Sequence, residues 1–172
     1  MEWNVDVRYG KAEKEFIMKR DVYEILNEKG ITLPDAPKKG GAYTPCKRFG
    51  DGLLYVSGCG PAIGGEKIEG KLGAEISLGE GQQYAMQAML NVLAVLEEKI
   101  GDLNKIQDCI KLTVFVACSD DFYEQPQVAN GASNLLAALY GAEAGLATRS
   151  AVGMNVLPGN IPVEVEGIFR VE

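Results

Sequence analysis

Arg149-Ser150-Ala151-Val152-Gly153-Met154-Asn155-Val156, then Leu157-Pro158-Gly159-Asn160, then Pro162-Val163-Glu164-Val165-Glu166-Gly167-Ile168-Phe169-Arg170-Val171 form a strand, a turn and a strand near the C-terminal end of the sequence. The first part is a strand. The Pro-Gly-Asn group is a turn. The last part is a second strand in which Val163 and Val165 alternate with Glu164 and Glu166. In a strand, neighbouring side chains point to opposite faces, so this one has an apolar side and a charged side.

Upstream, Ile106 to Cys118 carries Ile110, Leu112, Val114, Phe115 and Val116 and reads as a buried strand. Asp120-Asp121-Phe122 is a turn, and Ser133 to Tyr140 is an apolar helix closed by Gly141. Ser77 and Glu80 form a capping box that opens a long helix to about Ile100. Ala85, Met89, Val92, Leu93 and Leu96 give that helix a wide apolar stripe, and Gly101 ends it. Gly58 to Gly73 is loop-like and holds six glycines. Tyr43 to Phe49 and Leu53 to Ser57 are two strands joined at Gly50-Asp51-Gly52, where Asp-Gly between apolar runs signals a hairpin. Arg20 to Lys29 is a short helix with Val22, Tyr23, Ile25 and Leu26 on its apolar side, stopped by Gly30 and Pro34. Residues 34–41 are a Pro/Gly/Lys linker, and residues 3–7 have weak strand character. The order β-β-α-β-α-β-β after a helical arm predicts an α+β domain with both helices on one face of a sheet. We divide it into an N-terminal extension with a short helix, 1–36, and a domain, 37–172.

Composition narrows the chemistry. The 172 residues suffice for one domain, 47% of them are hydrophobic, and no apolar run approaches the roughly 18 residues of a membrane helix. The opening Met1 to Asp6 lacks a basic stretch followed by an apolar one, so the expected compartment is cytoplasmic. The net charge of −7 disfavours a nucleic-acid partner, since polyanions are held mainly by Lys and Arg; the basic residues are scattered apart from Lys38, Lys39, Lys47 and Arg48. Cys46, Cys59, Cys109 and Cys118 have no knuckle or redox spacing and are expected as free thiols, Cys109 and Cys118 buried. There is no histidine. That removes Ser-His-Asp and Cys-His nucleophile systems, histidine-based metal sites, and the commonest acid/base near neutral pH. We expect no metal and no cofactor. Catalysis here falls to carboxylates, Arg, Lys, Tyr, Cys, backbone groups or bound water.

Taken in order, these pieces resemble one family, the Rid (reactive intermediate deaminase) or YjgF-like proteins, often labelled endoribonuclease L-PSP. The matching pieces are Leu54-Tyr55-Val56-Ser57-Gly58, the helix Gln82 to Ile100 with Asn91 inside it and Gly101-Asp102-Leu103 after it, Val114-Phe115-Val116 with Asp121-Phe122, and the C-terminal stretch quoted above. They span about Pro37 to Glu172. Gln125 to Ser133 and Gly30-Ile31-Thr32-Leu33-Pro34 resemble a less-studied branch. The resemblance implies a chorismate-mutase-like fold, with a mixed sheet, two helices on one face and a short N-terminal helix. It also implies a homotrimer with three clefts between subunits that take small carboxylate ligands. In the best-known branch the activity is hydrolysis of 2-imino acids, or their enamine tautomers, to 2-keto acids and ammonia. A non-catalytic small-carboxylate-binding or regulatory trimer is the alternative.

By the same resemblance Arg149 is the carboxylate clamp, and a guanidinium suits that role because it presents a two-pronged fork. The other reading is a surface or interface salt bridge. Glu164 matches the glutamate that orients the attacking water, against an exposed residue on the polar side of its strand. Tyr43 matches a tyrosine that closes the cleft, against core packing. Gly58 and Ala151 would supply backbone groups, Gly58 otherwise being a turn residue. Asn130 would bind substrate, or else cap a helix or sit in a turn. Two positions depart from the family pattern: Ala151 stands where the well-known branch usually has cysteine, and Ala147 where relatives in the suggested branch often have histidine.

Overall fold

The computed structural model describes residues 21–172. The weak strand expected at residues 3–7 and the first residue of the expected helix, Arg20, lie outside them. Three helices, α1 (Val22–Glu28), α2 (Leu78–Ile100) and α3 (Gln125–Gly145), accompany five strands: β1 (Cys46–Phe49), β2 (Leu53–Cys59), β3 (Ile106–Ala117), β4 (Thr148–Met154) and β5 (Val163–Val171). The sheet order is β1-β2-β5-β3-β4. Only β3 and β4 run parallel. A parallel neighbour requires a crossover, and α3 supplies it. β5, entering from the 3-10 turn Pro158–Asn160, slots between β2 and β3 antiparallel to both. This is the expected mixed-sheet α+β fold.

The alternation of β5 sets the two faces of the sheet. Val163, Val165, Gly167, Phe169 and Val171 are buried; Glu164, Glu166 and Ile168 are half-buried and Arg170 is exposed. The buried side joins Leu112, Val114 and Val116 of β3 and Leu54 and Val56 of β2 in the core. α2 and α3 cover this side, and among the described residues neither long helix packs on the other. α2 starts at the Ser77–Glu80 capping box and ends at Gly101 in the left-handed region, as the sequence predicts. It buries Ala85, Met89, Val92, Leu93 and Leu96, each large apolar side chain contributing about 1.5–3 kcal/mol. No helix among the described residues is long and apolar enough to cross a membrane.

α3 runs well beyond the expected Ser133–Tyr140, from Gln125 to Gly145. Pro126 sits in the first turn, where its missing N–H costs nothing. Val128, Ala129, Ala132, Leu135, Leu136 and Leu139 form one buried stripe at helical spacing. Gly131 interrupts the pattern in sequence but serves packing: a Cβ there would strike the backbone carbonyl of Gln82 in α2, so the two helices approach backbone to backbone. Gly141, at φ 81° and ψ 168°, is not helical and closes the long part of α3 as the sequence predicts; a short helical turn follows to Gly145.

α1 is docked by polar as well as apolar contacts. Asp21 accepts from the backbone N–H groups of Tyr23 and Glu24 and from the Asn104 side chain, while Tyr23 donates to Glu97 at 2.6 Å. Val22, Ile25 and Leu26 enter the common core. All four cysteines are free and buried.

Candidate functional site

Two groups of residues stand out, and the sheet holds them apart. The first is at the β2–β5 pairing. Register shifts between Val56 and Cys59, a bulge that brings the Gly58 backbone against β5. The Glu164 carboxylate occupies the space that a Cβ on Gly58 would need. Gly58 is therefore glycine for close approach. Burial, and next the negative charge of Glu166, push the Glu164 carboxyl above the ordinary glutamate value. Below it, burial and then Glu164 push the Cys59 thiol up to about 12. Gly58 lines a cavity of about 130 Å³ together with Lys38, Tyr43, Ser57 and Cys59. Tyr43 is 45% exposed, so it is not a core residue. Its hydroxyl accepts from the Gly40 N–H at 3.4 Å, which folds the preceding linker over the cavity.

The second group is on β4, at the edge of the sheet. Arg149 pairs in register with Leu112, which places it on the helix-covered side. Its Nη1 donates to Asn130 Oδ1 at 3.0 Å and to Ser133 Oγ at 2.9 Å, and its Nη2 donates to the Pro126 carbonyl at 3.1 Å. These three acceptors lie at i, i+4 and i+7 on one face of α3. All three are neutral, and among the described residues Arg149 forms no salt bridge. Burial lowers its pKa, yet a guanidinium keeps its charge at any ordinary pH. Three of its five N–H groups are engaged, which leaves a fixed cation with donors to spare.

The sequence-predicted residues thus divide. Tyr43 and Gly58 share a cavity, and Glu164 packs against Gly58 without lining it. Arg149 and Asn130 come together, with Ala151 two residues along β4 on the same side as Arg149 and paired with Val114. Asn130 neither caps a helix nor sits in a turn: it lies inside α3 and gives its oxygen to Arg149. Within one chain the two groups do not meet. β3 separates β5, which carries Glu164, from β4, roughly 10 Å at the usual strand spacing, and β2 lies one strand farther away. Arg149 also lies on the helix side, whereas Glu164 belongs to the opposite side.

Sequence reading missed two contributors. Ser133 reads from the sequence only as a helix residue, although its place seven residues after Pro126 marks the same face. Asn91 is 2% exposed and donates to the carbonyls of Gly60 and Ala62 at 2.9 Å each, pinning the glycine-rich loop beside the cavity to α2. An asparagine amid the apolar stripe of α2 is the signal for it.

Comparison with known proteins agrees with this architecture. Residues 24–166 match the family described as "YjgF/chorismate_mutase-like, putative endoribonuclease". The chain is 39% identical over 147 residues to Protein TCP17 of Trypanosoma cruzi, covering 84% of this chain and 91% of that one. The crystal structure of protein Atu1372 from Agrobacterium tumefaciens, a protein of unknown function, superposes with a TM-score of 0.81 at 39% identity, over 88% of this chain and 92% of that one. A Shewanella oneidensis protein carrying the same endoribonuclease label superposes with a TM-score of 0.84 at 28% identity, over 88% of this chain and all of that one (100%). With the matched residues spanning both groups described above, the chain belongs to the YjgF/chorismate mutase-like family.

Proposed function

We propose that three copies of this chain close into a ring in which Arg149 of one copy faces Tyr43, Gly58 and Glu164 of the next, and that each cleft hydrolyses a 2-imino acid, or its enamine tautomer, to a 2-keto acid and ammonia. The observation that carries this reading is the segregation of a guanidinium held by neutral acceptors from a carboxylate whose pKa is raised. Among the described residues, neither has a partner of opposite charge. Closed rotational symmetry brings two different patches of identical subunits face to face.

The chemistry needs no histidine. The Arg149 guanidinium binds the substrate carboxylate through its unengaged N–H groups and orients the C=N carbon. Glu164 accepts a proton from a water molecule as its oxygen attacks that carbon. The C=N double bond becomes a single bond, and the nitrogen takes up the proton. Glu164 then takes the carbinolamine hydroxyl proton and delivers it to the nitrogen as the C–N bond breaks and the C=O bond forms, so ammonia and the keto acid are released and Glu164 is again a carboxylate. A carboxyl above the ordinary glutamate value is the better base for this step.

The test is an assay of ammonia and keto-acid release from freshly generated imino acids, with light scattering on the same sample. Turnover above the uncatalysed rate in a particle of three chain masses is expected. A monomer at micromolar concentration would remove the basis of the cleft. A trimer that binds 2-oxobutanoate yet releases no ammonia would be the non-catalytic, carboxylate-binding member of the same fold; its support is that Arg149 and its neutral tether explain binding without any chemistry.

A further inference from the structure

We propose that Lys38 forms a second anionic subsite in this cleft, so that the preferred ligand is a dicarboxylate, a 2-imino or 2-keto acid carrying a carboxylate on its side chain. The proposal rests on the function proposed above. It begins from the basic residues that the sequence reading left without a role.

Lys38 lies in the linker before β1, and the Tyr43–Gly40 hydrogen bond folds that linker back over the sheet. As a result Lys38 shares the 130 Å³ cavity with Tyr43 and Gly58, the residue against which Glu164 is packed. It also lines the adjoining cavity of about 480 Å³, together with Pro37, Ile63 and Asn91. Lys38 thus stands where one space opens into the next, which leaves room for a side chain longer than a methyl group beyond the reacting carbon. Among the described residues it forms no salt bridge. Asp35 lines the second cavity but not the first.

Charge then decides between ligands. Arg149 can neutralise one carboxylate. Glu164 packs against Gly58 but lines neither cavity, so a second carboxylate reaching this space meets Lys38 as the cation of the first cavity. The flexible stem of Lys38 lets the ammonium follow the ligand. A monocarboxylic ligand of the same length gains nothing from it.

The experiment is calorimetric titration of the intact protein at low salt with 2-oxoglutarate and with 2-oxopentanoate, which has the same carbon count and no distal carboxylate. We expect 2-oxoglutarate to bind about tenfold tighter, a preference that shrinks as salt is added. In Lys38→Met the ratio of the two affinities should fall to about one, and in Lys38→Arg it should survive. A wild-type ratio near one would overturn the proposal. So would a ratio that persists in Lys38→Met, including the case where both affinities drop together, which would assign Lys38 to the electrostatics of Glu164. Failure of wild-type protein to bind either keto acid would instead overturn the cleft itself, and this subsite with it.

Discussion

At the scale of single residues, Arg149 and Glu164 make opposite demands on the fold, and variants separate them. Arg149→Ala should abolish 2-oxobutanoate binding: losing a charge-assisted contact in a desolvated cleft costs about 2–5 kcal/mol, on the order of a hundredfold or more. It should also lower the Tm by several degrees, because the hydrogen bonds to Asn130, Ser133 and Pro126 tie β4 to α3. Arg149→Lys should fail as a ligand clamp too, because an ammonium cannot supply the fork. Calorimetric titration and thermal unfolding read the two effects separately. Glu164 behaves otherwise. Its folded pKa lies above its unfolded value, so the folded state holds that proton more tightly; the resulting stability is present at low pH and is lost as pH rises through the raised pKa. Glu164→Gln should therefore leave the Tm unchanged or higher at pH 7, with no gain at pH 4, while turnover disappears. Wild-type turnover should fall on the acid side at a pH above that of an ordinary glutamate, because the carboxylate form is the base. A Tm loss at pH 7 in Glu164→Gln would contradict the burial argument. The identities of both residues are legible in the sequence. Their surroundings are not, since Glu164 meets Gly58 and Arg149 meets Asn130 across chain separations that no local pattern encodes.

At the scale of elements, the sequence is most readable where one period runs unbroken. β5 announces its two faces through Val163–Glu166, and α2 announces its start through Ser77 and Glu80. β1 forms only from Cys46, because the residues before it fold into the turn that carries Tyr43, and this part of the expected strand belongs to the cavity wall instead. α3 shows the larger departure. Read alone, Gly131 looks like a helix breaker, yet the buried stripe from Val128 to Leu139 outweighs it, whereas Gly141 does interrupt the helix. The glycine at 131 is explained only by α2. Gly131→Ala should destabilise the protein by about 1–3 kcal/mol even though alanine is the better helix former, because the added methyl meets the Gln82 backbone. Urea unfolding of the variant measures it, and a stabilised Gly131→Ala would mean that the two helices can move apart at no cost. The same close approach fixes α3, and with it the three oxygens that hold Arg149.

At the scale of the whole molecule, the consequence lies in how Arg149 and Glu164 are shared out. If a working cleft needs Arg149 from one copy and Glu164 from its neighbour, a copy lacking one of them still contributes the other. Arg149→Ala protein and Glu164→Gln protein, each inert alone, should therefore regain activity when unfolded together and refolded as a mixture. Every ring containing both kinds has a single place where an intact arginine meets an intact glutamate, so an equal mixture should recover about a quarter of the wild-type rate per chain. If each site lay within a single chain, the mixture would recover nothing, and that result would return the site to the single subunit. In a cell carrying one normal and one defective gene copy, the same arithmetic makes the damage graded: each defective subunit silences one cleft and leaves the others running.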